Sequence, residues 1–266
     1  MKIAVVTGAS SGMGREFVCA LDRQTAFDEI WVIARRRDRL EALQGAVHAK
    51  VRPLAWDLTK EESFDAYRSL LAEERPEVSV LVNAGGFGVF GAFASLSESE
   101  QLSMIDLNVK TLMRMTHLTL PYMKAGACIY QLGSLSAFQP VPYINVYAAT
   151  KAFVLHFSRA LNKELEPRGI RVLAVCPGWV RTEFFDRAVR DDTITYYNQF
   201  FTAKEVVDRA LSDMARGKDV SICGWRIRAQ VLLTKLLSHR IVMDIWCRQQ
   251  GIGTPRAAKN GDRQKE

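Results

Sequence analysis

The chain has 266 residues, 48% hydrophobic and 24% charged, a globular composition long enough to bury a sizeable core. Its net charge of +7 gathers largely in Arg35-Arg36-Arg37-Asp38-Arg39 and after Arg226, but without the aromatic-interleaved basic patch or known module of a nucleic-acid-binding protein. Five cysteines lacking C-x-x-C or Cys/His spacing exclude a disulfide framework and a structural zinc site, so no metal and a reducing, cytoplasmic setting are expected; neither a signal peptide nor a bilayer-length apolar run is read.

In chain order, runs rich in β-branched residues predict strands at 2–6, 29–33, 51–55, 79–82, 128–132, 171–175 and 220–222. Helical periodicity lies between them, at 40–47, 62–71, 102–123 and 152–165. Alternating strands and helices predict βαβ units, hence an α/β fold of the Rossmann type: a doubly wound parallel sheet of about seven strands with helices on both faces. Several strands are apolar throughout, as burial on two faces requires, and Pro53 marks the third strand as an edge. No repeat or linker divides the chain, so one domain over residues 1–252 and a polar, disordered tail over 253–266 are expected.

The first strand runs into Thr7-Gly8-Ala9-Ser10-Ser11-Gly12-Met13-Gly14. Gly8-x-Ser10-x-Gly12 fits a hydrolase nucleophile elbow, whereas Gly8, Gly12 and Gly14 fit a phosphate cradle opening a helix. Position decides between them. A hydrolase elbow needs an oxyanion N–H from an earlier strand–helix loop, and only one strand precedes Ser10. A dinucleotide fold puts its cofactor loop on that first strand.

T-G-x-x-x-G-x-G resembles the short-chain dehydrogenase/reductase family, as do Tyr147-Ala-Ala-Thr-Lys151, Ser134 thirteen residues before the tyrosine, Asn108 in "DLNVK", and "CPGWVRTEF" from Cys176. The resemblance covers residues 1 to about 185 in the right order. It implies catalytic roles for Asn108, Ser134, Tyr147 and Lys151, with Ser136 a competing serine and Asn108 holding a proton-relay water. It also implies cofactor contacts at Gly8, Ser10, Ser11, Gly12, Met13 and Gly14, at Asp57 and Leu58, at Asn83, Ala84 and Gly85, at Tyr147 and Lys151, and at Pro177, Gly178, Val180 and Thr182. The chain departs from the family's N-N-A-G, reading Asn83-Ala84-Gly85-Gly86.

Tyr147 and Lys151, four apart, share a helix face. An ammonium about 4 Å from the phenol is worth ~4 kcal/mol at a dielectric of ~20, an expected lowering of up to ~3 pKa units. The end of the second strand reads Ala34-Arg35-Arg36, with no acid for a ribose 2′-hydroxyl. Arginines at a helix N-terminus want an external anion, so Arg35 and Arg36 predict a 2′-phosphate and hence NADP(H). The expected activity is interconversion of a secondary alcohol and a ketone, with 3-oxoacyl reduction the competing activity and a non-catalytic dinucleotide sensor the alternative of another class.

Aromatic residues gather around the expected site, and Phe87, Phe90, Tyr143, Trp179, Phe184, Phe185 and Tyr197 are the predicted substrate contacts, with 183–202 as lid. They point to a bulky apolar substrate such as a hydroxysteroid, and Arg181, Arg187 and Arg190 to an acidic end, as in a bile acid. Residues 225–248 predict one apolar, basic helix that closes over the body or meets another subunit, in preference to a membrane surface. The resemblance implies a homodimer or homotetramer.

Overall fold

Residue alternation explains how one sheet buries both its faces. In β1 (Lys2–Thr7) everything but Lys2 is buried: Ala4 and Val6 join the core on one side, Ile3 and Val5 the core on the other. In this computed structural model, which describes residues 1–253, β1 is followed by α1 (Gly12–Gln24), β2 (Glu29–Ala34), α2 (Arg37–Glu41), β3 (Lys50–Ala55), α3 (Glu61–Glu74) and β4 (Glu77–Asn83). Then come α4 (Glu98–Ile105), α5 (Leu112–Thr119), β5 (Cys128–Leu132), α6 (Asn145–Leu165), β6 (Arg171–Val175), β7 (Trp179–Val180) and α7 (Phe184–Ala188). The C-terminal part holds β8 (Phe200–Phe201), α8 (Ala203–Ala215), β9 (Val220–Ser221), α9 (Trp225–Leu236) and α10 (His239–Gln249). All of the expected tail except Gly253 lies outside the described residues.

The main sheet has seven strands in the order β3-β2-β1-β4-β5-β6-β9, every pair parallel. It is the doubly wound Rossmann-type sheet. β3 is an edge strand, where Pro53, paired with Val32, has no N–H to waste. Phe17 and Val18 of α1 and Val206 and Val207 of α8 cover one face; Phe64, Tyr67 and Leu71 of α3 and Met115 of α5 cover the other. The chain winds outward in opposite directions from β1 and β4, so a crevice opens at their carboxyl ends, between the loops after Thr7 and Asn83.

Three elements differ from the sequence-based expectation. The helix expected over 152–165 begins at Asn145, which brings Tyr147 onto it. The expected helix over 102–123 starts at Glu98 and widens into one π-helical stretch at Asp106–Thr111. The single helix expected over 225–248 is two: Leu237 is extended and the Ser238 hydroxyl caps α10 by accepting the Ile241 N–H. A serine that caps a new helix competes with continuing the old one.

Candidate active site

The glycine-rich loop is shaped by contacts that only glycine allows. At Gly8 φ is +66°, and a Cβ there would lie 2.7 Å from the backbone N of Gly85; at Gly14 it would lie 2.3 Å from the Gly8 carbonyl oxygen. The first loop therefore packs directly on the loop after β4, and the Gly85 N–H donates to Thr7 Oγ1 at 3.2 Å. Gly12 faces Thr182, whose methyl group would be 3.2 Å from an added Cβ.

Arg36 lies across this loop. Its Nη2 donates to the Ser10 and Ser11 hydroxyls at 3.0 Å each, and its Nη1 to Glu183 at 2.8 Å. Arg39 pairs with the same carboxylate, and both guanidinia hold the Glu183 carboxyl below its usual range. Here the expectation of an unsatisfied arginine cluster is corrected: Arg36 and Arg39 have an internal anion, Glu183, at the start of α7. Arg35 is exposed and, among the described residues, has no ion pair.

Elsewhere the expected cofactor residues divide. Met13, Ala84, Pro177, Gly178, Val180 and Thr182 border one cavity together with Tyr147 and Lys151. Against the effect of burial, which would raise it, the Thr59 N–H and hydroxyl hold the Asp57 carboxyl below the ordinary range. Leu58 is packed in the core under α3. The Asn83 side chain points inward, donating to Thr116 at 3.1 Å and Gln131 at 2.9 Å, so it ties β4 to β5 and α5 rather than lining the cavity. A buried amide finds its partners where neighbouring strands supply them.

On α6, Tyr147 and Lys151 face the same cavity, with Lys151 Nζ 5.6 Å from the phenol ring centroid and donating to the Leu132 carbonyl at 2.6 Å. Their electrostatics reverse the expectation. Burial pushes the Tyr147 phenol up to about 12, an effect the Ser134 hydroxyl opposes, and burial lowers the Lys151 ammonium to about 8. In both groups burial, which disfavours the charged form, is the dominant cause of the shift. Ser134 and Ser136 both border the cavity. Ser134 Oγ accepts the Ser136 N–H at 3.2 Å, while the buried Ser136 hydroxyl has no partner.

Asn108 sits in the π-helical stretch and is buried. Its Nδ2 donates to the Phe87 carbonyl at 2.9 Å and to Thr150 at 3.1 Å, and its Oδ1 accepts the Phe87 N–H at 3.0 Å. The amide is spent on clamping the loop after β4 to α6. A Cβ on Gly86 would lie 2.9 Å from Asn108 Oδ1 and 3.5 Å from Lys151 Nζ, so the clamp lies against the lysine.

The cavity has a volume of about 450 Å³, in the range of small-molecule sites. Among the described residues Lys151 is the one charged side chain bordering it. Trp179, Phe184 and Phe185 line it, but four other expected substrate contacts do not. Phe87 packs on Val89 and Met104 with the Arg187 guanidinium 3.3 Å from its ring; Phe90 is fully buried among Val141, Ile144 and Ala188. Tyr143 packs on that second cluster, and Tyr197 stands behind Trp179 and Phe185. Apolar rings fill the second row because burial there removes them from water as effectively as a ligand would.

None of the three expected anionic anchors reaches the cavity: Arg181 lies near Phe200, Arg187 on Phe87, and Arg190 pairs with Glu100 at 2.7 Å. The far wall comes instead from residues the sequence reading missed, Gln230, Leu233 and Leu237 of the α9 region and Val242, Ile245 and Trp246 of α10. Nothing in local pattern marks them, since the break at Ser238 is what turns both helices to the site.

A family model described as short chain dehydrogenase matches residues 2–193. The chain is 32% identical over 189 residues to serine 3-dehydrogenase from Agrobacterium fabrum, covering 68% of this chain and 72% of that protein. It superposes on a short-chain dehydrogenase from Sphingobium yanoikuyae in complex with NADPH with a TM-score of 0.75 and 29% identity, over 99% of this chain and 100% of the other. Against the bulky-bulky ketone specific alcohol dehydrogenase from Comamonas testosteroni the TM-score is 0.71 and the identity 25%, over 100% and 99% of the two chains.

Proposed function

Because the chain belongs to the short chain dehydrogenase family, oxidoreductases acting on CH–OH groups, we propose that it uses NADP(H) to interconvert a bulky, uncharged ketone and its secondary alcohol. The observation that carries the substrate class is the cavity wall: aromatic and aliphatic side chains, neutral amides, and no ionised group except Lys151. An oxo-steroid without an ionised end has the matching bulk and polarity. The acid-ended bile acid suggested by the arginines of 181–190 finds no cation in the wall apart from Lys151 beside Tyr147.

The residues present fit a dinucleotide phosphate. Ser10, Ser11 and Arg36 form a hydroxyl and guanidinium donor set, and the cavity runs from Met13 and Thr182 past Ala84 and Gly86 to Tyr147. Those residues would hold the cofactor, whose nicotinamide supplies or accepts the hydride when bound. Tyr147 donates the proton to the carbonyl oxygen in reduction and accepts it from the alcohol in oxidation. Burial keeps the phenol protonated at neutral pH, which suits the reductive direction. Ser134 donates a hydrogen bond to the same oxygen as charge develops on it. Lys151, poised near 8, returns the proton to the tyrosine, while Asn108 positions the loop over Lys151. The apolar wall keeps water from the reacting carbon.

The test is NADPH oxidation with a neutral oxo-steroid, small ketones and short 3-oxoacyl thioesters, in wild type and Tyr147→Phe. The steroid should have the highest kcat/KM, and the variant should bind NADPH normally while turnover falls by orders of magnitude. Small ketones or short thioesters matching the steroid would refute the substrate class. A variant retaining more than about a tenth of wild-type kcat would refute Tyr147 as the acid.

A further inference from the structure

The two C-terminal helices leave an apolar face uncovered. On α9, Trp225, Leu232 and Leu236 fall on one stripe and are 72%, 62% and 83% exposed. On α10, Ile241 and Ile245, one turn apart, are also exposed. The opposite sides hold the helices to the body through Ile227, Val231 and Val242.

Charge around this face is mainly positive. Arg226, Lys235, Arg240 and Arg248 are exposed, against the single exposed acid Asp244 on these helices. Among the described residues none of the four cations is in an ion pair. Leu233 and Ile245 belong both to this exposed surface and to the cavity wall, so the mouth of the cavity opens onto it.

We propose that α9 and α10 dock the protein on an anionic lipid surface, with the leucine and isoleucine side chains entering the boundary between headgroups and acyl chains. The apolar stripe and basic rim are the two parts of such a contact. A second copy of the chain on the same face, related by a two-fold axis, would set cation against cation. Residues 254–266 contain no large apolar side chain to cover the leucines, and their four basic residues against two acidic ones add to the attraction for an anionic surface. Entry of substrate from the bilayer rests on the reading of the cavity given above; the docking itself does not.

Full-length protein is sedimented with phosphatidylcholine vesicles and with vesicles containing phosphatidylglycerol, at low and high salt. It should pellet with the anionic vesicles only, and high salt should release it. The double variant Leu232→Glu, Leu236→Glu changes exposed residues that do not border the cavity. Its vesicle-bound fraction should fall about tenfold, with NADPH binding as the check that it is folded. No pelleting, or equal pelleting with neutral vesicles, overturns the proposal. So does a variant that changes oligomeric state by analytical ultracentrifugation while the wild type ignores vesicles, because the face then belongs to a second copy. Vesicle binding without turnover of any bulky ketone would leave the docking standing and refute the substrate reading.

Discussion

Replacing Glu183 by Gln should tighten NADPH binding and leave NADH unchanged. In wild type the carboxylate holds Arg36 at 2.8 Å and also pairs with Arg39, so a 2′-phosphate must compete with it for the same guanidinia. In water a contact at 2.8 Å is worth at most about 1.5 kcal/mol. All three side chains are 41–45% exposed, so solvent screening and side-chain entropy reduce each pair to about 0.5 kcal/mol. Releasing both therefore gives about 1 kcal/mol, roughly a fivefold lower Kd for NADPH. Arg36→Ala should act in the opposite direction, weakening NADPH by about 1.5–3 kcal/mol through loss of a charge-assisted bond. Isothermal titration with both cofactors reads all of these values. If Glu183→Gln weakens NADPH, the carboxylate is a strap over bound cofactor rather than its competitor. If NADH tightens equally, the effect is on the loop and not on the phosphate.

The buried Lys151 has a signature in stability. Its folded pKa of about 8 lies below the 10.5 of an ordinary lysine, so between these values the unfolded chain binds the extra proton and stability rises with pH. The slope from this group is at most about 1.36 kcal/mol per pH unit. Lys151→Met should therefore show its greatest advantage over wild type below pH 8 and lose it as pH approaches 10.5, in urea titrations across that range. A constant difference would mean the lysine is solvated. At the cavity wall, Ile245→Trp should raise KM for a bulky ketone about tenfold, since overpacking costs roughly 1–3 kcal/mol, and leave small ketones and NADPH Kd unchanged. Equal effects on all ketones would place the change outside the substrate space. Gly8→Ala, at φ +66° with a Cβ 2.7 Å from the Gly85 backbone N, should cost at least about 1–2 kcal/mol and remove NADPH binding; near wild-type Tm would show that the two loops separate freely.

Short-range pattern determined much of this protein. The β-branched runs, Pro53 at an edge and the glycines at 8, 12 and 14 carry the sheet and its cofactor loop, because each residue type reports a backbone or burial requirement that is legible in the residue itself, whichever distant group imposes it. The four-residue spacing of Tyr147 and Lys151 carries their common face on α6. One local signal went unread: Thr202 and Glu205 form a capping box that opens α8. What the sequence did not decide concerns groups brought together from far apart. Glu183 meets Arg36 across 147 positions, and Asn108 meets Phe87 and Thr150 across 21 and 42. The shifts of Tyr147 and Lys151 depend on how much water the finished fold removes, which outweighs the charge separation that spacing alone suggests. Of the seven aromatic residues assigned to substrate, Trp179, Phe184 and Phe185 line the cavity and Phe87, Phe90, Tyr143 and Tyr197 do not, since lining a cavity and standing one row behind it place the same demand on a side chain's hydrophobicity. Only the packing of α9 and α10 against residues 183–202 decided which rings face the cavity and which leucines face solvent.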